Sequence, residues 1–292
     1  MRSSQWTGPR YFRTAFLTGT LSAGFSLGAG MVSAARAQVK MVPQPWQIGL
    51  QAAHSPVKVA IDQLNDWVSG LMVLVVALVA GLMLYCCWKF NARSHPVPSK
   101  VSHSTPLEIV WTLVPVLILV AIAIPSFRLV YYEDRTQNAD LTIKVTGHQW
   151  YWEYTYPDQN NLDFSSYILP QDQLKPGQLR LLDVDNQLVV PVGKNIRVLT
   201  TSTDVIHSFF VPSLGVQRYA IPGRTIETWF RANDIGTYYG ECNQICGMNH
   251  SQMPIVVRAV SAQDFAAWVV QAKTKLAAAG STVNLQLAEA AR

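Results

Sequence analysis

Charge is scarce in this chain: of 292 residues only 14% are Asp, Glu, Lys or Arg, against about a quarter in an ordinary soluble domain. Cysteine is scarcer still, at four, too few to staple a chain of this length, which excludes a disulfide scaffold. Disorder is excluded by what replaces the missing charge, because 49% of residues are hydrophobic and 10% aromatic, ample material for a core. Mean hydropathy is +0.14, which points to membrane segments. A basic patch is lacking as well, although the net charge is +5. Residues 1–130 hold 10 basic and 3 acidic side chains, and residues 131–292 hold 13 and 15. Arg2, Arg10, Arg13 and Arg36 fall in a segment read below as a cleaved leader, and without them the balance is +1. The high pI therefore comes from an export signal and membrane flanks, and nothing supports a nucleic-acid partner.

Residues 1–37 read as a secretory signal peptide. Arg2, Arg10 and Arg13 give a positive start, an uncharged Gly/Ala/Ser/Leu stretch follows, and Ala35-Arg36-Ala37 is an A-x-A cleavage site. The alternative, a first membrane helix, is weakened by the many Gly, Ser and Thr between Thr18 and Gly30. An external segment, 38–66, comes next, in which Ser55 to Asn65 is expected as a short amphipathic helix lying at the membrane interface.

Two spans follow within a hairpin over 67–130. Trp67 to Trp88 is 22 residues without a charge, and Ile109 to Phe127 is 19, so that spans of about 67–88 and 109–128 are expected. At 1.5 Å per residue these runs reach roughly 33 and 28 Å, enough to cross a hydrocarbon core about 30 Å thick. Pro115 and Pro125 are expected to kink the second helix and to favour packing against a neighbouring membrane protein. Lys89, Arg93 and Lys100 in the connector, with no acidic residue beside them, place that connector in the cytoplasm and everything after residue 130 outside. The expectation is a multi-pass protein of a bacterial inner (plasma) membrane, in contact with lipid, with a periplasmic domain.

Beyond the linker Glu133 to Asp140 the periodicity changes to short β-prone runs separated by Pro and Gly: 141–145, 150–156, 196–201, 207–211, 225–230, 237–240 and 255–260. This is an all-β sandwich or barrel pattern, assigned to residues 131–277. Ser261 with Asp264 three residues on starts a C-terminal helix whose Phe265, Trp268 and Val269 share a face. The tail, 278–292, reads as frayed or processed.

The chemistry is concentrated in Cys242 to Met253, where Cys242, Cys246, His250 and Met253 fall within twelve residues in a loop between two strands. Thiolate, thioether and imidazole are the ligand set that suits copper. A blue-copper site uses one Cys; the second here lets two thiolates bridge a pair of metals. A second imidazole is needed, and His207, at a strand start, is the best placed; His54, His95 and His103 lie near the spans and His148 precedes the aromatic run. Three other readings stay open: a Cys242–Cys246 disulfide, a structural zinc site, and His207 as an ordinary strand-end histidine. Cys86 and Cys87 lie in a span and read as apolar filler.

Gly147-His148-Gln149-Trp150-Tyr151-Trp152, Asp204-Val205-Ile206-His207-Ser208, Val211 to Gly215, Ala220 to Arg224 and the Cys242 to Met253 loop together resemble subunit II of haem-copper (aa3-type) cytochrome c oxidase over roughly residues 40–275. The resemblance implies a two-helix transmembrane hairpin followed by a cupredoxin-like Greek-key β-sandwich. It also implies a dinuclear CuA centre: Cys242 and Cys246 bridge both coppers, His207 and Met253 complete one, and His250 with the backbone carbonyl of Gln244 completes the other. Trp150 matches the residue at which electrons enter from cytochrome c, and Asp183, Asp185 and Asp204 are candidates for the acidic surface that steers that donor. Glu108 matches an acidic residue at the mouth of a proton path; its alternative is a carboxylate favouring a helix N-terminus. The implied partners are subunit I, which holds the haems and CuB, and subunit III. The family often has Glu where this chain has Gln244, there ligating Mg or Mn at the subunit interface; an amide oxygen is a weaker ligand for a hard cation, and the swap weakens that site. The rival class is a membrane-anchored copper carrier, which needs neither Trp150 nor Glu108.

Overall fold

The computed structural model describes residues 39–97, 99–136 and 138–275. The expected signal over 1–37 and the tail over 278–292 lie outside the described residues.

A short strand, β1 (Val39–Met41), precedes two long helices, α1 (Pro56–Lys89) and α2 (Thr105–Glu133). Both contain apolar windows of mean hydropathy 2.6 with no side chain buried inside the protein, the inverse of a soluble core and the arrangement a lipid surround demands. Among the described residues these are the two helices long and apolar enough to cross a membrane. The anchor is therefore two-span, a correction to the multi-pass expectation. Ser55 caps α1, its hydroxyl accepting from the Lys58 N–H at 3.0 Å. Ser55 to Asn65 accordingly does not form a separate helix lying along the membrane: its helical residues are the first turns of α1, stood on end because Val57 and Lys58 are buried against the domain that follows. Helix α2 runs through Pro115 and Pro125.

Ten further strands form that domain: β2 (Leu141–His148), β3 (Tyr151–Tyr156), β4 (Leu162–Ser166), β5 (Leu188–Pro191), β6 (Ile196–Ser202), β7 (His207–Val211), β8 (Val216–Ala220), β9 (Ile226–Phe230), β10 (Gly236–Cys242) and β11 (Pro254–Val260). One sheet runs β4-β3-β2-β6-β9; the other runs β5-β11-β10-β7-β8, with β1 added in parallel to β10. Sequence alternation sets the faces. In β3, Trp152, Tyr154 and Tyr156 point inward, and in β6, Ile196, Val198, Thr200 and Ser202 do. The inner faces share one core, in which Ile143, Trp152 and Tyr154 of the first sheet meet Phe209, Tyr238 and Ile255 of the second. Each such apolar side chain contributes about 1.5–3 kcal/mol by leaving water.

Residues 262–275 form a helix whose start is fixed by Ser261, its hydroxyl accepting from the Asp264 N–H at 3.1 Å. Phe265 and Trp268 cover Tyr156, with ring centroids 6.4 and 5.3 Å away.

The hairpin is fastened to the sandwich at both outer ends. At the start of α1, the Ser55 hydroxyl donates to the Leu214 carbonyl at 2.6 Å and the His54 N–H to the Ser213 carbonyl at 3.0 Å. At the end of α2, the Trp229 indole donates to the Tyr132 carbonyl at 2.8 Å, and Arg218 pairs with Asp134.

Candidate metal centre

Strand β10 ends on Cys242 and β11 begins at Pro254, so the loop between them hangs from two neighbouring antiparallel strands. Pairing of β7 with β10, Phe209 opposite Cys242, brings the first residue of β7, His207, beside that loop. The ligand atoms of His207, Cys242 and Cys246 all lie within 4.8 Å of one another.

The individual spacings fit one cluster. Cys242 Sγ is 3.8 Å from Cys246 Sγ, 3.9 Å from His207 Nδ1 and 3.3 Å from the Gln244 carbonyl oxygen. Cys246 Sγ is 3.4 Å from His250 Nδ1 and 3.6 Å from Met253 Sδ. Ligands sharing a soft ion at about 2.0–2.3 Å in tetrahedral geometry stand about 3.3–3.8 Å apart, so the donor set fits a thiophilic metal. Both cysteines are free, and the two sulfurs are well beyond the roughly 2.05 Å of a disulfide. His207, Cys242, Cys246 and Met253 are buried, whereas Gln244 and His250 are partly exposed.

Electrostatics favour a thiolate here. Burial opposes ionisation of Cys242, but hydrogen bonds with His207 and with the backbone at Gln244 and Ser208 outweigh it and lower its pKa. Burial, then the charge on Cys242, raises Cys246. Burial alone would lower His207; Cys242 and Asp204 reverse that and raise it. Binding of a cation by these thiols would release their protons.

A second ring of groups holds the ligands. The Asp204 carboxylate meets His207 Nε2 at 2.9 Å, which leaves Nδ1 facing the sulfur; a carboxylate on the far nitrogen is the usual way a ligating imidazole is oriented. The other Asp204 oxygen accepts from the Gln149 N–H at 2.7 Å. The Gln149 amide and the Trp150 indole both donate to the Cys246 carbonyl, at 2.9 and 3.3 Å, and the Trp152 indole donates to the Met253 carbonyl at 3.0 Å. Two glycines make this closeness possible. A Cβ on Gly147 would lie 2.8 Å from His207 Cδ2, and one on Gly247, whose φ is +125°, would lie 2.9 Å from Trp150 Cζ2.

The structure brings together His207, Cys242, Gln244, Cys246, His250 and Met253, all six expected from the sequence. Gln149 and Trp152 hold the ligand loop, and Gly147 makes room for His207, without any motif that announces it. Asp204, expected at the steering surface, turns its carboxylate to His207. The Asp-x-x-His spacing at 204–207 was the available signal. Asp183 is a correction: it is only 3% exposed, its carboxylate accepting from the Tyr239 hydroxyl at 3.0 Å and the Leu179 N–H at 2.6 Å. A buried acid committed to two donors presents no charge to a partner. Asp185 is exposed and accepts from the Tyr167 N–H at 2.7 Å. Glu108, in the first turn of α2, accepts from the Ser104 N–H at 3.3 Å, a helix-capping contact distant in sequence from the cluster.

Comparison with known proteins matches residues 141–260 to the family model described as cytochrome C oxidase subunit II, periplasmic domain, and residues 43–129 to that of the transmembrane domain. The chain is 49% identical over 243 residues to a probable cytochrome c oxidase subunit 2 of Rickettsia bellii, covering 83% of this chain and 90% of that protein. It is 45% identical over 232 residues to cytochrome c oxidase subunit 2 of Zea mays, covering 77% and 89%. Among solved structures, the periplasmic domain of subunit II of cytochrome oxidase (CoxB) of Bradyrhizobium japonicum is 52% identical, covers 48% of this chain and 99% of its own, and has a TM-score of 0.46.

Proposed function

The chain belongs to the cytochrome c oxidase subunit II family, and from that premise we propose that it accepts electrons from cytochrome c at a dinuclear CuA centre and passes them to the haems of subunit I, where oxygen reduction drives proton pumping in an energy-transducing membrane. The observation that carries this reading is the cluster itself: two free thiols 3.8 Å apart with two imidazoles, a thioether and a backbone carbonyl at its rim.

Cys242 and Cys246 would bridge the two coppers, His207 and Met253 would complete one, and His250 with the Gln244 carbonyl the other. When bound, a copper pair sharing charge through two thiolates exchanges one electron with little change of geometry. The protein's part is to keep that geometry. The buried ligands share the hydrophobic core, which excludes water, and Asp204 orients His207. Trp150 packs on the core while remaining partly exposed, and its indole reaches the Cys246 carbonyl, which suits a point of electron entry from a donor docked outside. Asp185 and the exposed side of Asp204 are the remaining acids for steering a basic cytochrome. Glu108, at the opposite end of α2 from the domain, is assigned to proton uptake toward subunit I; subunit III is a further expected neighbour. Gln244 offers a Mg or Mn ion only a neutral side-chain oxygen.

The test is electron paramagnetic resonance with copper counting on the copper-loaded full chain in detergent. Two coppers per chain, one unpaired electron split over both nuclei, and loss of that signal in Cys246→Ser are expected. A single-copper spectrum overturns the reading in favour of a carrier.

A further inference from the structure

The turn joining β2 to β3 and the start of β3 supply three side-chain N–H donors within four residues, and all three grip backbone carbonyls of the ligand loop. Gln149, which is exposed, and Trp150, which is partly so, hold the Cys246 carbonyl. Trp152 works from the inside. Its ring is wholly buried, its indole N–H donates to the Met253 carbonyl at 3.0 Å, and it meets the His207 ring tilted 65° at a centroid distance of 5.9 Å. Phe209 closes on the indole at 90° and 5.7 Å, so the tryptophan has no freedom to turn.

A thioether is a weak, long ligand. Its bond does little to direct its own geometry, so the backbone that carries it decides where the sulfur stands. Met253 Sδ lies 3.6 Å from Cys246 Sγ with its carbonyl tied to Trp152. One indole thereby contacts the two residues assigned to the same copper, Met253 by a hydrogen bond and His207 by an edge-type ring contact.

We infer that Trp152 is a positioning residue that sets the ligand field of one copper of the pair and so the evenness with which the electron is shared; the inference rests on the dinuclear reading above. A tryptophan kept only to fill the core depends on its volume. A positioning tryptophan depends on its N–H as well.

The experiment separates the two by replacing Trp152 with benzothienylalanine, which has sulfur in place of N–H and nearly the same shape, in the copper-loaded full chain. Two coppers per chain, a less even hyperfine splitting than in the parent, a shifted midpoint potential, and about tenfold faster loss of copper to a chelator are expected, the size usual for groups that support metal ligands. A second probe needs no substitution. In the parent protein the 15N-labelled indole proton of Trp152 is expected to carry a paramagnetic shift in the oxidised copper form that disappears on reduction. An isostere with the parent's splitting and loss rate, or an unshifted indole proton, overturns the inference while leaving a shared copper pair intact. A parent chain that binds one copper or none overturns the functional reading first.

Discussion

The inner and outer halves of the loop between β10 and β11 are built to opposite specifications. On the inner side Cys242, Cys246 and Met253 are sealed into the main core together with His207. On the outer side Ile245 and Met248, within the same twelve residues, are 84% and 88% exposed. One short segment therefore presents donors inward to the core and apolar side chains outward to solvent. The contrast shows that fixity here comes from what the loop is held by, since a stretch of this length has no rigidity of its own. Its carbonyls at 246 and 253 are held by three donors from β3 and the turn before it, and that grip is what distinguishes the halves.

The largest blow to the inner half is expected from Gly147→Ala. The added methyl stands 2.8 Å from His207 Cδ2, and the ring, held by Asp204, has nowhere to go. Overpacking of this kind costs about 1–3 kcal/mol, and displacement of a ligand's support costs about 10–100-fold in metal affinity. Thermal unfolding of the metal-free chain and copper titration measure the two separately. Unchanged copper affinity would mean that the inner half can yield.

Asp204→Asn is expected to act next, with a pH signature in the metal-free protein. Asp204 is lowered from 3.8: burial raises it, and hydrogen bonds with His207 and the N–H groups of Val205 and Gln149 more than reverse this. Its contribution is present above the unfolded value and fades as pH falls through the lower folded value. His207 is raised from 6.5, so its contribution is complete below 6.5 and fades as pH rises through the folded value. Both are whole only between about pH 4 and 6.5. The stability gap between parent and variant, about 1.5 kcal/mol for a hydrogen bond between charged groups, should be widest there and narrow toward alkaline pH in melting curves. A gap that grows with pH would contradict a charged pair.

Least of all is expected from Ile245→Ser or Met248→Ser. Exposed positions without partners change stability by no more than about 0.5 kcal/mol, and copper count and hyperfine splitting should stay as in the parent. A disturbed spectrum would show that the outer half bears on the centre and would dissolve the contrast.

Much of this was legible in the residues. Uncharged runs of 22 and 19 residues announce the hairpin because hydrocarbon tolerates little else, alternation in 141–145 announces a strand, and the aromatic run 150–156 another. The four donor side chains between Cys242 and Met253 were legible because their chemistry is rare in combination, and the Gln244 carbonyl entered only through the family resemblance. What could not be read was long-range: that Asp183 folds under Tyr239, that Asp204 turns to His207, and that β1 adds to β10. A carboxylate looks the same in a sequence whether it meets water or an imidazole. The expected interfacial helix at 55–65 is instead the first turns of α1, because Val57 and Lys58 meet a protein surface that forms from residues far along the chain.

The two-point fastening of the hairpin to the sandwich carries a mechanical consequence. A domain on a single flexible tether would drift in height and tilt, and the thiol cluster would drift with it. Ser55 and His54 at one helix end, Trp229 and Arg218 at the other, remove hinge motion about either helix alone. The bilayer then serves as a ruler: its thickness and the lengths of α1 and α2 dictate how far above the lipid the sulfur cluster stands, and a lengthened linker after Glu133 would leave that height unchanged for as long as both clasps stay closed.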